Sequence, residues 1–154
     1  MRQMFSEVVA VDGTPGATWD VVGEIATVLG WISIVDDVTT VEPGRRYTAV
    51  LQDKLGPFKL RADLAIEVAI VDAEARRIVA RADGEDRQIG SRLTVDVDLS
   101  VRPAGAGAEI EVAGAYEVTG RPASLGAGSI RKKAAKVLSE FFTRVAAEAH
   151  APVS

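Results

Sequence analysis

Cysteine is absent from the 154-residue chain, and histidine occurs once, at position 150. The first absence removes disulfides, thiolate nucleophiles and zinc–thiolate sites, and makes a reducing cytoplasm the natural setting. The second leaves the body of the chain without an imidazole for a Ser–His pair or a His-based metal site. An excess of basic charge is also missing: the net charge is −4, whereas nucleic-acid binding leaves a basic footprint, so no nucleic-acid partner is expected. No apolar run approaches the roughly 18 residues of a membrane span. Met1 to Asp12 has no basic stretch followed by an apolar one, so no signal peptide is expected. Large aromatics are few, with four Phe, two Tyr and two Trp.

What is present is an ordinary globular balance, 47% apolar and 26% charged, in a length that suits one domain. The expected domain runs over residues 1–149, and 150–154 reads as a tail or the start of a linker. Gln3 to Val11, rich in Val and Phe, suits an opening strand. Thr14 and Pro15 then offer a cap and a first-turn proline for a short helix carrying Trp19, Val22, Ile25, Ala26 and Leu29, which Gly30 stops. Trp31, Ile32 and Ile34 follow in a loop.

From there the period becomes two. Phe58, Leu60, Ala62, Leu64, Ile66, Val68 and Ile70 alternate with residues that include Lys59, Arg61, Asp63 and Glu67. Leu93, Val95, Val97, Leu99 and Val101 alternate with polar residues, as do Ile110, Val112, Gly114, Tyr116 and Val118. Shorter alternating runs cover Tyr47 to Leu51 and Ile78 to Ala82. One dry and one wet face is the mark of an antiparallel sheet, and turn residues between the runs make it a meander. After Pro122 the period returns to that of a helix: Ile130, Ala134, Val137, Leu138, Phe141, Phe142 and Val145 form an apolar stripe, while Arg131, Lys132, Lys133 and Lys136 take the wet face. Sheet and helix can bury their apolar faces against each other, and strand twist curls the sheet around the helix. The expected class is α+β, a curved antiparallel sheet of six to seven strands gripping one long carboxy-terminal helix.

No catalytic constellation is visible. Asp36–Asp37 and Asp83, Glu85 and Asp86 fall in turns or on the wet face, so no metal site is expected, and the glycines form no phosphate loop. The interior is more informative. Alternation turns Tyr47 and Tyr116 inward, either to reach a backbone partner or to orient a polar head on a greasy ligand. Asp53 shares Tyr47's parity and is expected to be solvated at the mouth. Gly114, with Ala62, Ala80, Ala82 and Gly84, leaves room for the helix or for a ligand. Trp31, Ile32, Ile34, Leu55, Pro57, Phe58 and Leu125 are apolar residues in turns and mark a mouth. Gly126 and Gly128 weaken the helix start by about 1 kcal/mol each relative to Ala. The expected lining therefore comprises Trp31, Ile34 and Phe58 at the mouth, then Tyr47, Leu51, Leu60, Leu64 and Ala82. Leu93, Val95, Val97, Val112, Gly114 and Tyr116 continue it, and Leu125, Ile130, Ala134, Leu138 and Phe141 close it from the helix side.

The order of elements resembles the helix-grip fold of the START/SRPBCC superfamily, and four stretches are similar to the CoxG family, named for the G subunit of carbon monoxide dehydrogenase. These are Trp19 in the first helix, Val41-Glu42-Pro43-Gly44, Leu55-Gly56-Pro57-Phe58-Lys59, and Gly120-Arg121-Pro122-Ala123-Ser124-Leu125-Gly126 followed by Phe141-Phe142. Pro122 and Asp53 depart from the family's apolar residues at those positions. The resemblance implies a non-enzymatic accessory or recruitment factor of a molybdenum-containing hydroxylase of the carbon monoxide dehydrogenase type, binding a lipid- or quinone-like molecule. It also implies a cytoplasmic protein with peripheral contact at the inner face of the membrane. No cofactor is expected. The alternative is an enzyme like the polyketide cyclases and dehydratases of the same superfamily, acting on an apolar substrate in the same cavity.

Overall fold

The computed structural model describes residues 1–55, 57–125 and 127–149. Strand β1 (Arg2–Val11) leads into two short helices, α1 (Pro15–Val22) and α2 (Ile25–Gly30). Strands β2 (Val35–Glu42), β3 (Arg46–Leu55), β4 (Phe58–Asp72), β5 (Arg77–Asp86), β6 (Ser91–Ala104) and β7 (Gly107–Thr119) follow. A 3₁₀ turn (Arg121–Leu125) leads into α3 (Ala127–Glu148). The seven strands form one antiparallel sheet in the order β1-β7-β6-β5-β4-β3-β2, so β2 to β7 are a meander and β1 closes the far edge against β7. The expected helix-grip architecture is the one observed.

Two local differences have clear causes. The single helix expected after β1 is broken at Gly23 and Glu24: Gly23 donates to the Trp19 carbonyl, and Glu24 leaves helical geometry at φ −79°, ψ 74°. Thr14 caps α1 as expected, its hydroxyl accepting from the Ala17 N–H at 3.1 Å. Strand β2 gives no alternating signal because six of its eight residues are exposed, and its pairing with β3 is interrupted by register shifts between Asp36 and Thr39 and between Thr40 and Glu42.

The inward rows follow from the register. One runs Tyr116–Val95–Ala82–Ile66–Tyr47 across five strands, and the next runs Gly114–Val97–Ala80–Val68. On the outer face the strands carry cross-strand ion pairs, among them Arg77–Asp98 at 2.6 Å and Arg102 to Glu109 and Glu111 at 2.9 and 2.7 Å.

Candidate functional site: the interior between sheet and helix

Helix α3 is held at three levels, and the hold changes character along its length. At its carboxy-terminal end Gly13 N–H donates to the Ala149 carbonyl at 2.8 Å, and Val145 and Ala149 are sealed from solvent. A side chain at Gly13 would run into that carbonyl, which is why the turn needs glycine. At mid-helix the loop after α2 is clasped to α3. Ser33 donates its backbone N–H and its hydroxyl to the two carboxylate oxygens of Glu140, both at 2.7 Å. Trp31 packs against Phe141 at 6.2 Å between ring centroids, Phe141 meets Phe142 edge-on, and the Arg144 guanidinium lies 5.6 Å from the Trp31 ring centre. At the amino-terminal end Lys133 Nζ reaches Asp53 Oδ1 at 3.1 Å. Phe141, Phe142 and Val145 are buried, whereas Ala134, Val137 and Leu138 nearer the start of the helix are half-buried.

The sheet is graded in the same way. Leu60, Ala62, Leu64, Ile66 and Val68 on β4 and Val112, Tyr116 and Val118 on β7 are buried. Between them, Ala80 and Ala82 on β5 and Leu93, Val95 and Val97 on β6 are half-buried, although these strands lie in the middle of the sheet. Inward residues flanked by buried strands stay accessible only where nothing fills the space above them. The under-filled region therefore lies over β5 and β6, beneath the first half of α3.

Small residues contribute less to that space than alternation implies. A side chain at Gly114 would collide with the Asp96 carbonyl and the Phe5 ring, so this glycine admits the packing of Phe5. Gly84 is filled by Leu64 in the same manner. Ala80 and Ala82 remain as the small residues facing the gap.

The two tyrosines separate. Tyr47's hydroxyl accepts from the Gly44 N–H at 2.7 Å and serves its own hairpin. Tyr116's hydroxyl is buried and has no hydrogen-bond partner among the described residues. It sits with Val118 and Ile130, against Phe5, Leu93, Val95 and Ala134. Burial raises its pKa above the usual phenol value, against a smaller lowering by the Arg131 charge, so it remains a protonated donor. Asp53 is not solvated at the mouth: its side chain is 13% exposed and tied to Lys133.

The other residues expected to line the interior take the following positions. Leu51, Leu60 and Leu64 are buried in the main core, Trp31, Ile34 and Leu138 pack half-buried against it, and Phe58 is half-buried at the hairpin tip. The side chains of Leu55 and Leu125, with Gly56 and Gly126, lie outside the described residues. Two open hollows of about 360 Å³ occur elsewhere, one beside the β2 bulge at Asp37 and Thr48, the other on the outer face at Arg81, Arg92 and Thr94. Neither lies between sheet and helix. No group of three or more metal-ligating side chains, and no helix long and apolar enough to cross a membrane, occurs among the described residues.

A long helix gripped by a seven-stranded antiparallel sheet over an under-filled apolar interior defines the START-like helix-grip class. The chain belongs to the CoxG family, that of the carbon monoxide dehydrogenase G subunit, whose sequence profile matches residues 8–150. Solved structures share the fold at low identity. A conserved protein from Geobacillus kaustophilus superposes with a TM-score of 0.81 at 18% identity, covering 95% of this chain and 94% of that one. A START superfamily protein from Mycobacterium smegmatis gives 0.72 at 12% identity, covering 95% and 96%. A protein from Thermus thermophilus gives 0.71 at 14% identity, covering 96% and 97%. Among curated proteins none matches.

Proposed function

We propose that the chain is a non-enzymatic binding protein for a hydrophobic small molecule whose head accepts a hydrogen bond from Tyr116. The observation that carries this reading is the buried Tyr116 hydroxyl, unpartnered among the described residues and surrounded by half-buried apolar side chains. A buried hydroxyl without a partner costs about 1–3 kcal/mol, a penalty that a bound acceptor removes. The head is neutral, since the charged groups near the gap are engaged or turned to solvent: Asp53 with Lys133, Glu140 with Ser33, and Arg131 on the exposed face of α3. A lipid- or quinone-like molecule, apolar apart from a carbonyl oxygen, fits these terms.

Membership of the CoxG family supports an accessory role beside a molybdenum hydroxylase of the carbon monoxide dehydrogenase type. A cytoplasmic protein working at the periphery of the membrane would draw such a ligand from the bilayer. An enzyme acting in the same cavity is the weaker reading. With Tyr47 and Asp53 occupied elsewhere, Tyr116 is, among the described residues, an inward-facing acid without a second free group beside it to return the proton.

The test is extraction of the purified protein into organic solvent followed by mass spectrometry. A co-purified hydrophobic molecule is expected from the parent and a smaller amount from Tyr116→Phe. Equal recovery from both would remove Tyr116 from the site, and no recovery with no uptake of added lipid or quinone would sink the binding reading.

A further inference from the structure

We propose that the Asp53–Lys133 ion pair is a latch across the mouth of the interior, and that a ligand passes only when it opens; this regulation rests on the binding reading above. Each member breaks the pattern of its own element. Asp53 occupies the inward parity of β3, in line with Tyr47, Ala49 and Leu51, all of which are buried. Lys133 lies beside Ile130, Ala134 and Val137 on the stripe that α3 turns toward the sheet. Two isolated violations would each be costly, because a charge turned into an apolar face loses its hydration. Here they face each other and meet at 3.1 Å, with 13% of the Asp53 side chain and 38% of the Lys133 side chain exposed.

An apolar pair of similar size would seal the same gap at least as firmly, since the Coulomb attraction of a desolvated pair barely offsets its dehydration. What the charged pair adds is separability. Once apart, each group can be rehydrated in a way that two parted leucines cannot. The surroundings are built for movement at this point. The β4–β5 ladder begins at Asp63, and the Arg61 N–H is still held by the buried Asp86 carboxylate at 2.7 Å, so the overhang that pairs with β3 alone, as a two-stranded ribbon, is the tip of the hairpin from Phe58 to Leu60. Such a ribbon is marginal without further support. Among the described residues, the ion pair joins it to α3, whose stripe there is buried at Ile130 and half-buried at Ala134, Val137 and Leu138, in contrast to the buried Phe141, Phe142 and Val145 further along. Asp53 Oδ1 also accepts the Lys54 backbone N–H at 2.8 Å, which keeps the carboxylate aimed. Tyr116 and Ile130 share one small apolar cluster against which Ala134 packs, so the stripe residues flanking Lys133 border the region of the unpartnered hydroxyl.

The experiment combines ligand exchange with backbone exchange. Nile red, a neutral apolar dye, is loaded into the parent, Asp53→Asn, Lys133→Gln and the charge-swapped double variant Asp53→Lys/Lys133→Asp, and its release is followed by stopped-flow fluorescence. Each single variant should release the dye about fivefold faster than the parent, and the swapped pair should return toward the parental rate. Raising salt from about 0.05 to about 1 M should speed release from the parent and leave the single variants unchanged. Hydrogen exchange, read without any ligand, should rise together in residues 57–60 and 128–134 of the single variants and nowhere else. Parental release rates in the single variants, or unchanged exchange in both segments, would overturn the latch. Failure of the parent to take up the dye would count against the binding reading instead, and the exchange data would still decide the latch.

Discussion

A single hydroxyl separates the two tyrosines that alternation turns inward. Tyr47 engages its oxygen with the Gly44 N–H, whereas Tyr116 keeps its own buried and unpartnered among the described residues. Removing the second should therefore act in opposite directions on stability and on binding. Tyr116→Phe is expected to stabilise the ligand-free protein by about 1 kcal/mol, because a desolvated polar atom disappears while the ring stays. In a thermal melt that corresponds to a rise of about 2–4 °C for a domain of this size. Retention of the hydrophobic ligand should fall in the same variant, and a melting point that drops would mean the hydroxyl has a structural partner. Gly114 makes the converse point. Its missing side chain is replaced by the Phe5 ring and the Asp96 carbonyl. Gly114→Ala should cost about 1–3 kcal/mol by urea titration through overpacking, whereas a stability unchanged from the parent would mean that the space above Gly114 is free.

Among the elements, α3 decides what the interior can do, and its middle is fixed by a contact between residues 107 apart in sequence. Glu140→Ala removes the acceptor of both Ser33 bonds and should lower stability by about 1–2 kcal/mol, freeing the loop that carries Trp31. Faster amide exchange at Ser33 without global unfolding is the expected signature, and an unaltered Ser33 amide would show the clasp to be incidental. That contact could not be read from the chain, since neither residue type nor spacing announces a pair so distant. What could be read were β4, β6, β7 and α3, where one dry and one wet face write a period of two or of 3.6 into the sequence. Strand β2 escaped for the opposite reason: six of its eight residues are exposed, and Val35 and Val38, which pack against the core, are three apart and write no period of two. Tyr116, Val95, Ala82 and the helix residues Ile130 and Ala134 were legible as inward positions. Which of them border unfilled space was not, because that depends on how Phe5 and Leu64 occupy the volume beside Gly114 and Gly84. Lys133 illustrates the limit of pattern reading. As one of four basic residues in a short run it reads as solvated, and only the three-dimensional approach of the β3–β4 hairpin turns it inward.

For the molecule as a whole, acid should act through two carboxylates of different standing. Burial pushes the Glu140 carboxyl upward, but the Ser33 N–H, the Ser33 hydroxyl and the Lys136 charge outweigh it and leave the group below its ordinary range. Asp98, on the outer face, is lowered first by its hydrogen bond from Arg77, then by that residue's charge, against a rise from burial. A carboxyl whose folded pKa lies below its unfolded one binds its proton more readily in the unfolded chain. Its contribution is therefore complete above the unfolded value, about 4 for both residues, and disappears as pH falls through the folded value. Urea-unfolding free energy should accordingly be flat above about pH 5 and decline below about pH 4, and Glu140→Gln combined with Asp98→Asn should decline less steeply. Salt distinguishes the two. The Arg77–Asp98 pair is 47% and 43% exposed and open to screening, so about 1 M salt should remove most of its share of the acid slope. Glu140 is held chiefly by two short hydrogen bonds from Ser33, which ions do not screen, so its share should persist. An acid limb in the double variant that overlays the parent's would place the titrating groups elsewhere. A limb abolished by salt would mean that Coulomb attraction, and not the Ser33 clasp, holds the Glu140 carboxylate against the mid-section of α3.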